Sequence, residues 1–210
     1  MKSRKAKKNF SSFTLNEALQ ELQILKLERW EIPLLPYQVS SFFSEHLRRL
    51  ENFDMVFSER AKELLIDAIC EEVLVNHQRL KVWKAAALQS DTLMGYVDYL
   101  VSPNIAYMTT PLLCAVEAKK DDFEKGLAQC LVEMKSCNWN NQQAGKSIDV
   151  YGIVTNGEVW KFYRLTTGGQ VYETLPYSME TQEKVFAALT YVFTKCEENL
   201  ASFPAMAKAA

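Results

Sequence analysis

The sequence predicts a mixed α/β domain: a mixed sheet with a helical extension before it and a long helix after it. Helical hydrophobic spacing recurs in several segments, and between them the pattern changes to short apolar runs rich in Val, Tyr and Leu. An Asn-Gly pair separates two of these runs. With 210 residues, 48% hydrophobic and 24% charged, the chain can build one sizeable core. This composition excludes a disordered chain and a collagen-like repeat, and no apolar run reaches the roughly 18 residues of a membrane span.

The N-terminus is strongly basic, although the whole chain has a net charge of only −2. A short block of bases predicts a flexible tail over residues 1–12, which either keeps the chain soluble or contacts phosphates. The rest of the chain carries a net charge of −7, which argues against a broad DNA-binding surface. The first eight residues contain five bases: Lys2, Arg4, Lys5, Lys7 and Lys8.

Residues 13–57 are predicted to form a helical extension. Leucines at helical spacing predict an amphipathic helix over Leu15–Trp30, and Thr14 with Glu17 has the spacing of a capping box. Two prolines then interrupt the chain, and a second helix is predicted over Val39–Arg49.

Residues 58–176 are predicted to form the sheet-containing core, and residues 177–203 a helix packed on it. The Asn156-Gly157 pair predicts a hairpin with a type I′ turn, which needs positive φ at both central residues. The predicted elements are a helix over Ser58–Val75, strands over Lys81–Gln89, Met94–Val101 and Leu112–Lys119, a helix over Asp121–Cys137, strands over Asp149–Thr155 and Val159–Thr166, and a helix over Glu180–Leu200.

The cysteines predict a reduced, intracellular chain, and we expect it to be cytoplasmic. Their number is odd, none forms a C-x-x-C pair, and the chain has only two histidines, so zinc ligation is not expected. We expect the thiols to pack as small hydrophobic groups. The five are Cys70, Cys114, Cys130, Cys137 and Cys196.

Two predicted strands carry charges where apolar residues are expected. Asp98 lies at the centre of one, and Glu117 and Lys119 share one face at the end of the other, because strand side chains alternate. Neighbouring carboxylates repel each other unless a hard divalent cation binds between them. A bound cation also activates water and offsets charge on phosphate. These residues therefore predict a Mg²⁺ or Mn²⁺ site suited to phosphodiester hydrolysis, with a structural Glu117–Lys119 ion pair as the alternative.

Glu72 falls in the middle of the apolar face of its predicted helix, whereas Glu59 falls away from that face. A carboxylate there needs a partner or a metal, or else lies where the helix end frays into solvent. The sequence is compatible with both interpretations of Glu72, a partnered carboxylate and a solvent-exposed one. On the later helix, Gln129 shares a strip with Gly126 and Glu133 outside the apolar face, where an exposed glutamine is as reasonable as a functional one.

Asp98, the Glu117-Ala118-Lys119 triplet and the preceding helix with Glu72 resemble the PD-(D/E)XK nuclease superfamily. The resemblance covers about residues 58–166 and implies a restriction-endonuclease-like α-β-β-β-α-β core. It implies that Asp98 and Glu117 are metal ligands and that Lys119 is the catalytic lysine. Glu72 would be the accessory acid, with Glu59 as the second choice, and Gln129 would contact phosphate or the water network.

The implied activity is Mg²⁺-dependent hydrolysis of nucleic acid, with DNA as the expected partner. The alternative is a catalytically weak or inactive module of the same fold that binds protein or nucleic acid. The terminal helices either pack on the core or form a homodimer, and no membrane partner is expected. Four strand bases are candidates to line a phosphate groove or to be ordinary solvated residues: Lys81, Lys84, Lys161 and Arg164.

Overall fold

The computed structural model describes residues 6–54, 59–119 and 122–201. In these residues the chain forms a mixed α/β fold with a mixed sheet and five α-helices, as the sequence predicts at this level. The helices are α1 (Leu15–Glu21), α2 (Ser41–Leu50), α3 (Glu59–Leu74), α4 (Phe123–Gln143) and α5 (Gln182–Ala201). The strands are β1 (Lys8–Asn9), β2 (Glu28–Arg29), β3 (Leu80–Gln89), β4 (Leu93–Pro103), β5 (Cys114–Ala118), β6 (Val150–Thr155), β7 (Val159–Leu165), β8 (Val171–Glu173) and β9 (Tyr177–Ser178).

The centre of the sheet runs in the order β4-β5-β6-β7, and β3 pairs with the outer side of β4. Strands β5 and β6 are parallel, whereas the β3–β4, β4–β5 and β6–β7 pairs are antiparallel. A parallel pair needs a crossover connection, which α4 provides. Both β5 and β6 are buried along their whole length, which explains their nearly continuous apolar sequences.

Helices cover the two faces of the sheet and enclose two hydrophobic clusters. One cluster joins α2, α3 and α5 to the sheet, and it includes Ile66 and Phe186. The other joins α1 and α4 to the opposite face, and it includes Ala18 and Leu131. The face covered by α4 is the one that carries the candidate site.

A flexible tail is expected over residues 1–12, but the chain is part of the fold from Lys8 onwards. Residues 1–5 lie outside the described residues. Strand β1 pairs in parallel with Leu93–Met94, and Phe10 is buried. A Cβ atom on Gly95 would lie 2.5 Å from Cδ2 of Phe10, so a glycine is required where this ring crosses β4. Packing of one aromatic ring therefore anchors a segment whose charge predicts disorder.

The predicted capping box at the start of α1 is confirmed. The Thr14 hydroxyl accepts from the Glu17 N–H, and the Glu17 carboxylate accepts from the Thr14 N–H. The prediction that this helix reaches Trp30 is wrong. The helix ends at Glu21, Gln23 has a φ of 57°, and β2 then pairs with β8. Tertiary pairing of the chain thus overrides the helical spacing of the leucines.

The β6–β7 hairpin is confirmed, but its turn is not the expected type I′. Gly157 has a φ of 87°, whereas Asn156 is not among the residues with positive φ. Instead, Oδ1 of Asn156 accepts from the N–H groups of Glu158 and Val159, at 3.0 Å and 2.8 Å. The Asn side chain stabilises the turn by closing a local hydrogen-bonded ring.

The apolar residues of both terminal helices pack against the chain itself. In α5 these residues are Val185, Phe186, Leu189, Val192 and Phe193, all fully buried. The amphipathic faces that suggested a homodimer are therefore used in the core. All five cysteines are buried and free, as expected. Among the described residues, no helix is long and apolar enough to cross a membrane.

Candidate active site

The site begins where β4 and β5 separate. Their register pairs Tyr99 with Val116, so the next position places Asp98 beside Glu117. Asp98 lies just beyond the last backbone pair between β4 and β5. Its side-chain Oδ2 accepts a hydrogen bond from the Ala118 N–H at 2.9 Å. The carboxylate thus takes the place of a backbone acceptor at the point where the strands diverge.

Glu117 and Lys119 lie on the same face at the end of β5, as the strand alternation predicts. The ammonium group of Lys119 donates to Oε1 of Glu117. Glu117 is fully buried, whereas 17% of the Lys119 side chain is exposed. The Lys119 N–H donates to the Thr155 carbonyl at 2.8 Å, which ties this end of β5 to β6. Lys119 therefore lies between the buried carboxylates and the solvent.

Helix α4 contributes two further polar side chains to this site. Both Gln129 and Glu133 are buried, and Nε2 of Gln129 donates to Oε1 of Glu133 at 3.1 Å. The helix comes close because residue 126 is glycine, where a Cβ atom would lie 2.9 Å from Cγ of Lys119. The strip formed by Gly126, Gln129 and Glu133 therefore faces the site rather than the solvent.

Glu133 is a residue of this site that the sequence did not predict. Its spacing from Gly126 and Gln129 indicates that the three residues share one side of α4, because residues three and four apart are neighbours on a helix surface. The sequence does not reveal that this polar strip packs on the sheet, since an exposed strip has the same pattern.

Burial raises the pKa of all three carboxyl groups of the site. Burial is the main cause for Asp98. Burial, together with the charge of Asp98, raises the pKa of Glu117 from 4.5 to about 8. Burial and the charge of Glu117 raise the pKa of Glu133 well above its ordinary value. Without a cation, the site therefore retains protons near neutral pH that exposed carboxyl groups would have lost.

Two carboxylate oxygens of this cluster lack hydrogen-bond partners. Oε2 of Glu117 and Oε2 of Glu133 are buried and accept no hydrogen bond in the described part of the chain. A buried acceptor without a partner costs about 1–3 kcal/mol, so such atoms in a native protein call for an explanation. A proton shared between the Glu117 and Glu133 carboxyl groups, or a cation bound at Oε2 of Glu117, would supply the missing interaction.

The described residues contain no ready-made cluster of three or more His, Cys, Asp or Glu side chains that could hold a metal ion. Mg²⁺ does not require one, because it is held by one or two carboxylates, waters and substrate phosphate. Asp98 and Glu117 match that donor set, and Oε2 of Glu117 accepts from no N–H donor of the described residues. The residues present therefore fit a hard, oxygen-liganded cation.

Glu72 is not grouped with these residues, which corrects the expectation of an accessory acid. Its carboxylate accepts from the Ser40 N–H at 2.7 Å and from the Ser40 hydroxyl at 2.6 Å. Tyr37 also donates to it, at 3.4 Å. Ser40 is the N-cap of α2, so Glu72 joins α3 to α2 away from the α4 face. The acid of α3 whose charge acts on Asp98 is instead Glu63.

Glu59, the second choice for the accessory acid, is the first residue of α3, and its side chain lies outside the described residues.

The four candidate phosphate-binding bases all have partners within the protein. Lys84 lies 2.8 Å from the Asp67 carboxylate and 3.1 Å from that of Glu63. Lys81 donates to the Ile105 carbonyl and lies over the ring of Trp83. Lys84 therefore neutralises two acids of the same chain, and Lys81 contacts a backbone carbonyl and an aromatic ring. The two bases do not form a cationic groove for phosphate.

The other two bases lie on β7. Lys161 pairs with Glu173, and it lies in the same row across the sheet as Glu117, with Val154 between them. Strands are about 4.8 Å apart, so the backbones of Lys161 and Glu117 are about 10 Å apart. Arg164 lies 3.7 Å from Asp149 and over the ring of Tyr172. Lys161 is therefore the base that the sheet places in line with the site.

No protein-family model matches the sequence, and no curated protein matches it.

Proposed function

We propose that this protein is a metal-dependent nuclease that hydrolyses phosphodiester bonds, with DNA as the expected substrate. The observation that carries the proposal is the meeting of Asp98, Glu117 and Lys119 where β4 and β5 diverge, with one buried oxygen of Glu117 that accepts from no N–H donor of the described residues. Two carboxylates and an amine at the end of two strands form a compact polar site with the charges that phosphodiester hydrolysis requires.

The order of elements supports a restriction-endonuclease-like core. From α3 the chain runs α3-β3-β4-β5-α4-β6, which is the α-β-β-β-α-β order that the resemblance implies. Asp98 lies on the second of these strands, and Glu117 and Lys119 lie on or directly after the third. We therefore infer that the site occupies the same strands as in that superfamily.

In this proposal, Asp98 and Glu117 hold Mg²⁺ or Mn²⁺ through their carboxylate oxygens. The cation would supply an activated water and offset the charge that grows on phosphate. Lys119 orients the attacking water and stabilises the negative phosphoryl oxygens. The water oxygen attacks phosphorus and gives up a proton to solvent, while the bond to the leaving sugar oxygen breaks and that oxygen takes a proton from solvent to leave as an alcohol.

Gln129 and Glu133 act on the site through Glu117. Glu133 lies close enough for the charge of Glu117 to raise its pKa, and Gln129 fixes the other Glu133 oxygen. Such outer-layer hydrogen bonds orient metal-binding carboxylates. We therefore assign Glu133 and Gln129 as positioning residues.

The test combines cleavage with metal binding. Purified protein is incubated with plasmid and with single-stranded DNA in Mg²⁺ or Mn²⁺, and cation binding is measured by calorimetry. We expect Asp98→Asn to abolish both, and Lys119→Gln to abolish cleavage while leaving cation binding within a few-fold. Glu124→Gln, an exposed acid on α4, is the matched control and should change neither. Cleavage that persists in both site variants would refute these roles.

A binding module without catalysis remains a second candidate function. The observation that favours it is the pairing of three of the four candidate bases with acids of the same chain, with a net charge of −7 beyond the first eight residues. Few free bases imply few phosphate contacts and hence a weak dependence of affinity on salt. A flat salt dependence together with no cation binding would favour this candidate over the nuclease.

A further inference from the structure

One side of α2 exposes two phenylalanine rings. Phe42 and Phe43 are adjacent, and successive helical residues point about 100° apart, so the core receives only one of the two rings. Phe43 is 1% exposed and packs edge-to-face against Phe186, whereas Phe42 is 61% exposed. Phe53, which follows the end of the helix, is 58% exposed.

The two exposed rings belong to one continuous groove. Phe42, His46, Arg49 and Phe53 line a cavity of about 740 Å³ that is open to solvent, and we call it the α2 groove. Their spacing of four, three and four residues places them along one side of the helix. The ring of His46 lies 5.8 Å from that of Phe42. Grouped apolar side chains of this size, bordered by charged residues, mark an interaction surface.

The α2 groove is complementary to itself. When two copies of α2 run antiparallel, with the two-fold axis between His46 and Arg49, Phe42 of one copy lies opposite Phe53 of the second copy. His46 then lies opposite Arg49, and every contact occurs twice, as in any two-fold interface. The aromatic ring at each end of one groove thus meets an aromatic ring of the other.

The charges of the groove favour this orientation. Oε1 of Glu45, which also lines the groove, lies 2.8 Å from Nη2 of Arg48 and from Nε of Arg49. The Arg49 side chain is 72% exposed, so its other nitrogens can reach a second acid. In the antiparallel arrangement, Arg49 of one copy lies beside Glu45 of the second copy. A parallel arrangement would instead place Glu45 against Glu45 and Arg49 against Arg49, and like charges repel.

We propose that a second copy of this chain binds the α2 groove and forms an antiparallel, two-fold symmetric homodimer. Burial of the phenylalanine rings drives association, and the Glu45–Arg49 contacts set the orientation. This interface differs from the terminal helices, whose apolar residues pack in the core. It lies on the side of the sheet covered by α2, α3 and α5, whereas the candidate active site lies on the α4 face. The proposal is therefore independent of the proposed function.

Sedimentation equilibrium of the full chain, from about 1 to about 500 µM, measures the association. We expect a reversible monomer–dimer equilibrium, and about 100-fold weaker association in Phe42→Glu and in Phe53→Glu, because each places two carboxylates in an apolar contact. Leu175→Glu is the matched control, since Leu175 is 57% exposed in the loop before β9, and it should dimerise as the parent does. Circular dichroism verifies that each variant is folded.

Exchange of charge between the two copies gives the sharper test. Glu45→Arg and Arg49→Glu each place like charges across the two-fold axis, so each alone should associate about tenfold more weakly. Mixed in equal amounts, the two variants should associate as tightly as the parent, because an all-arginine groove then meets an all-glutamate one. If Glu45 and Arg49 only stabilised their own helix, mixing would restore nothing.

Three results would overturn the proposal. They are a parent that stays monomeric over the whole concentration range, a dimer that persists in both phenylalanine variants, and two charge variants that associate no better together than apart. A parent dimer that only the Phe42, Phe53 and single charge variants weaken, and that mixing restores, supports it. None of these outcomes depends on cation binding or cleavage.

Discussion

Replacement of Glu117 by glutamine tests the electrostatics of the site directly. In the folded protein the pKa of Glu117 is raised from 4.5 to about 8 by burial and by the charge of Asp98. Between these two values the folded state binds more protons than the unfolded state, so stability falls as pH rises. The slope is about 1.4 kcal/mol per pH unit for one group, hence a loss on the order of 3 kcal/mol between pH 5 and pH 7.5.

Urea unfolding followed by circular dichroism, in EDTA at half-unit intervals of pH, measures this slope. A glutamine does not titrate, so Glu117→Gln should have a flatter profile and exceed the parent in stability at pH 8. Saturating Mg²⁺ should restore stability to the parent at high pH, because cations bind the deprotonated carboxylate, and it should not stabilise the variant.

Glu124→Gln is again the control, since this exposed acid lies on α4 outside the site, and its profile should follow the parent. The reasoning would be refuted if parent and Glu117→Gln lost stability with pH at the same rate. Such a result would mean that the buried carboxyl group has an ordinary pKa in the folded protein.

Three further substitutions test separate parts of the structure. Glu133→Gln should weaken Mg²⁺ binding by about 10- to 100-fold in calorimetry, the usual effect of losing an outer-layer carboxylate; unchanged affinity would remove its positioning role. Glu72→Ala should lower the free energy of urea unfolding by about 1–3 kcal/mol without changing Mg²⁺ affinity, because Ser40 loses its buried acceptor; a fall in affinity would return Glu72 to the site. Ala85 has a φ of 49°, so Ala85→Gly should be neutral or stabilising by up to about 1 kcal/mol, whereas Ala86→Gly should destabilise; equal losses in thermal unfolding would contradict this.

The elements that sequence reasoning predicted well have strong local signals. The capping box at Thr14 depends on two side chains three residues apart, and it forms as expected. The hairpin at Gly157 needs a residue that adopts positive φ, and glycine does so at little cost. The charged residues within β4 and β5 were evident because a charge in an apolar strand is unusual wherever the strand lies.

The elements that it missed depend on distant packing. Glu72 and Glu133 both lie on helices and are both buried, yet Glu72 meets Ser40 and Glu133 meets Gln129 beside the sheet. Their positions along the helices do not predict which partner each carboxylate contacts, because that partner comes from a distant segment that the fold brings close. Residues 28–29 likewise form a strand because their backbone pairs with that of β8, which is distant in sequence.

The local pattern of residues therefore determined the alternation of helices and strands, their caps and turns, and the face of β5 that carries Glu117 and Lys119. These properties depend on neighbours within a few residues, whose geometry the backbone imposes. Only the tertiary structure decided that α4 brings Gln129 and Glu133 to that face, that α2 takes Glu72 away from it, and that other groups of the same chain occupy the candidate bases. Those outcomes depend on contacts between segments far apart in sequence, where burial and charge pairing, rather than local spacing, set the free energy.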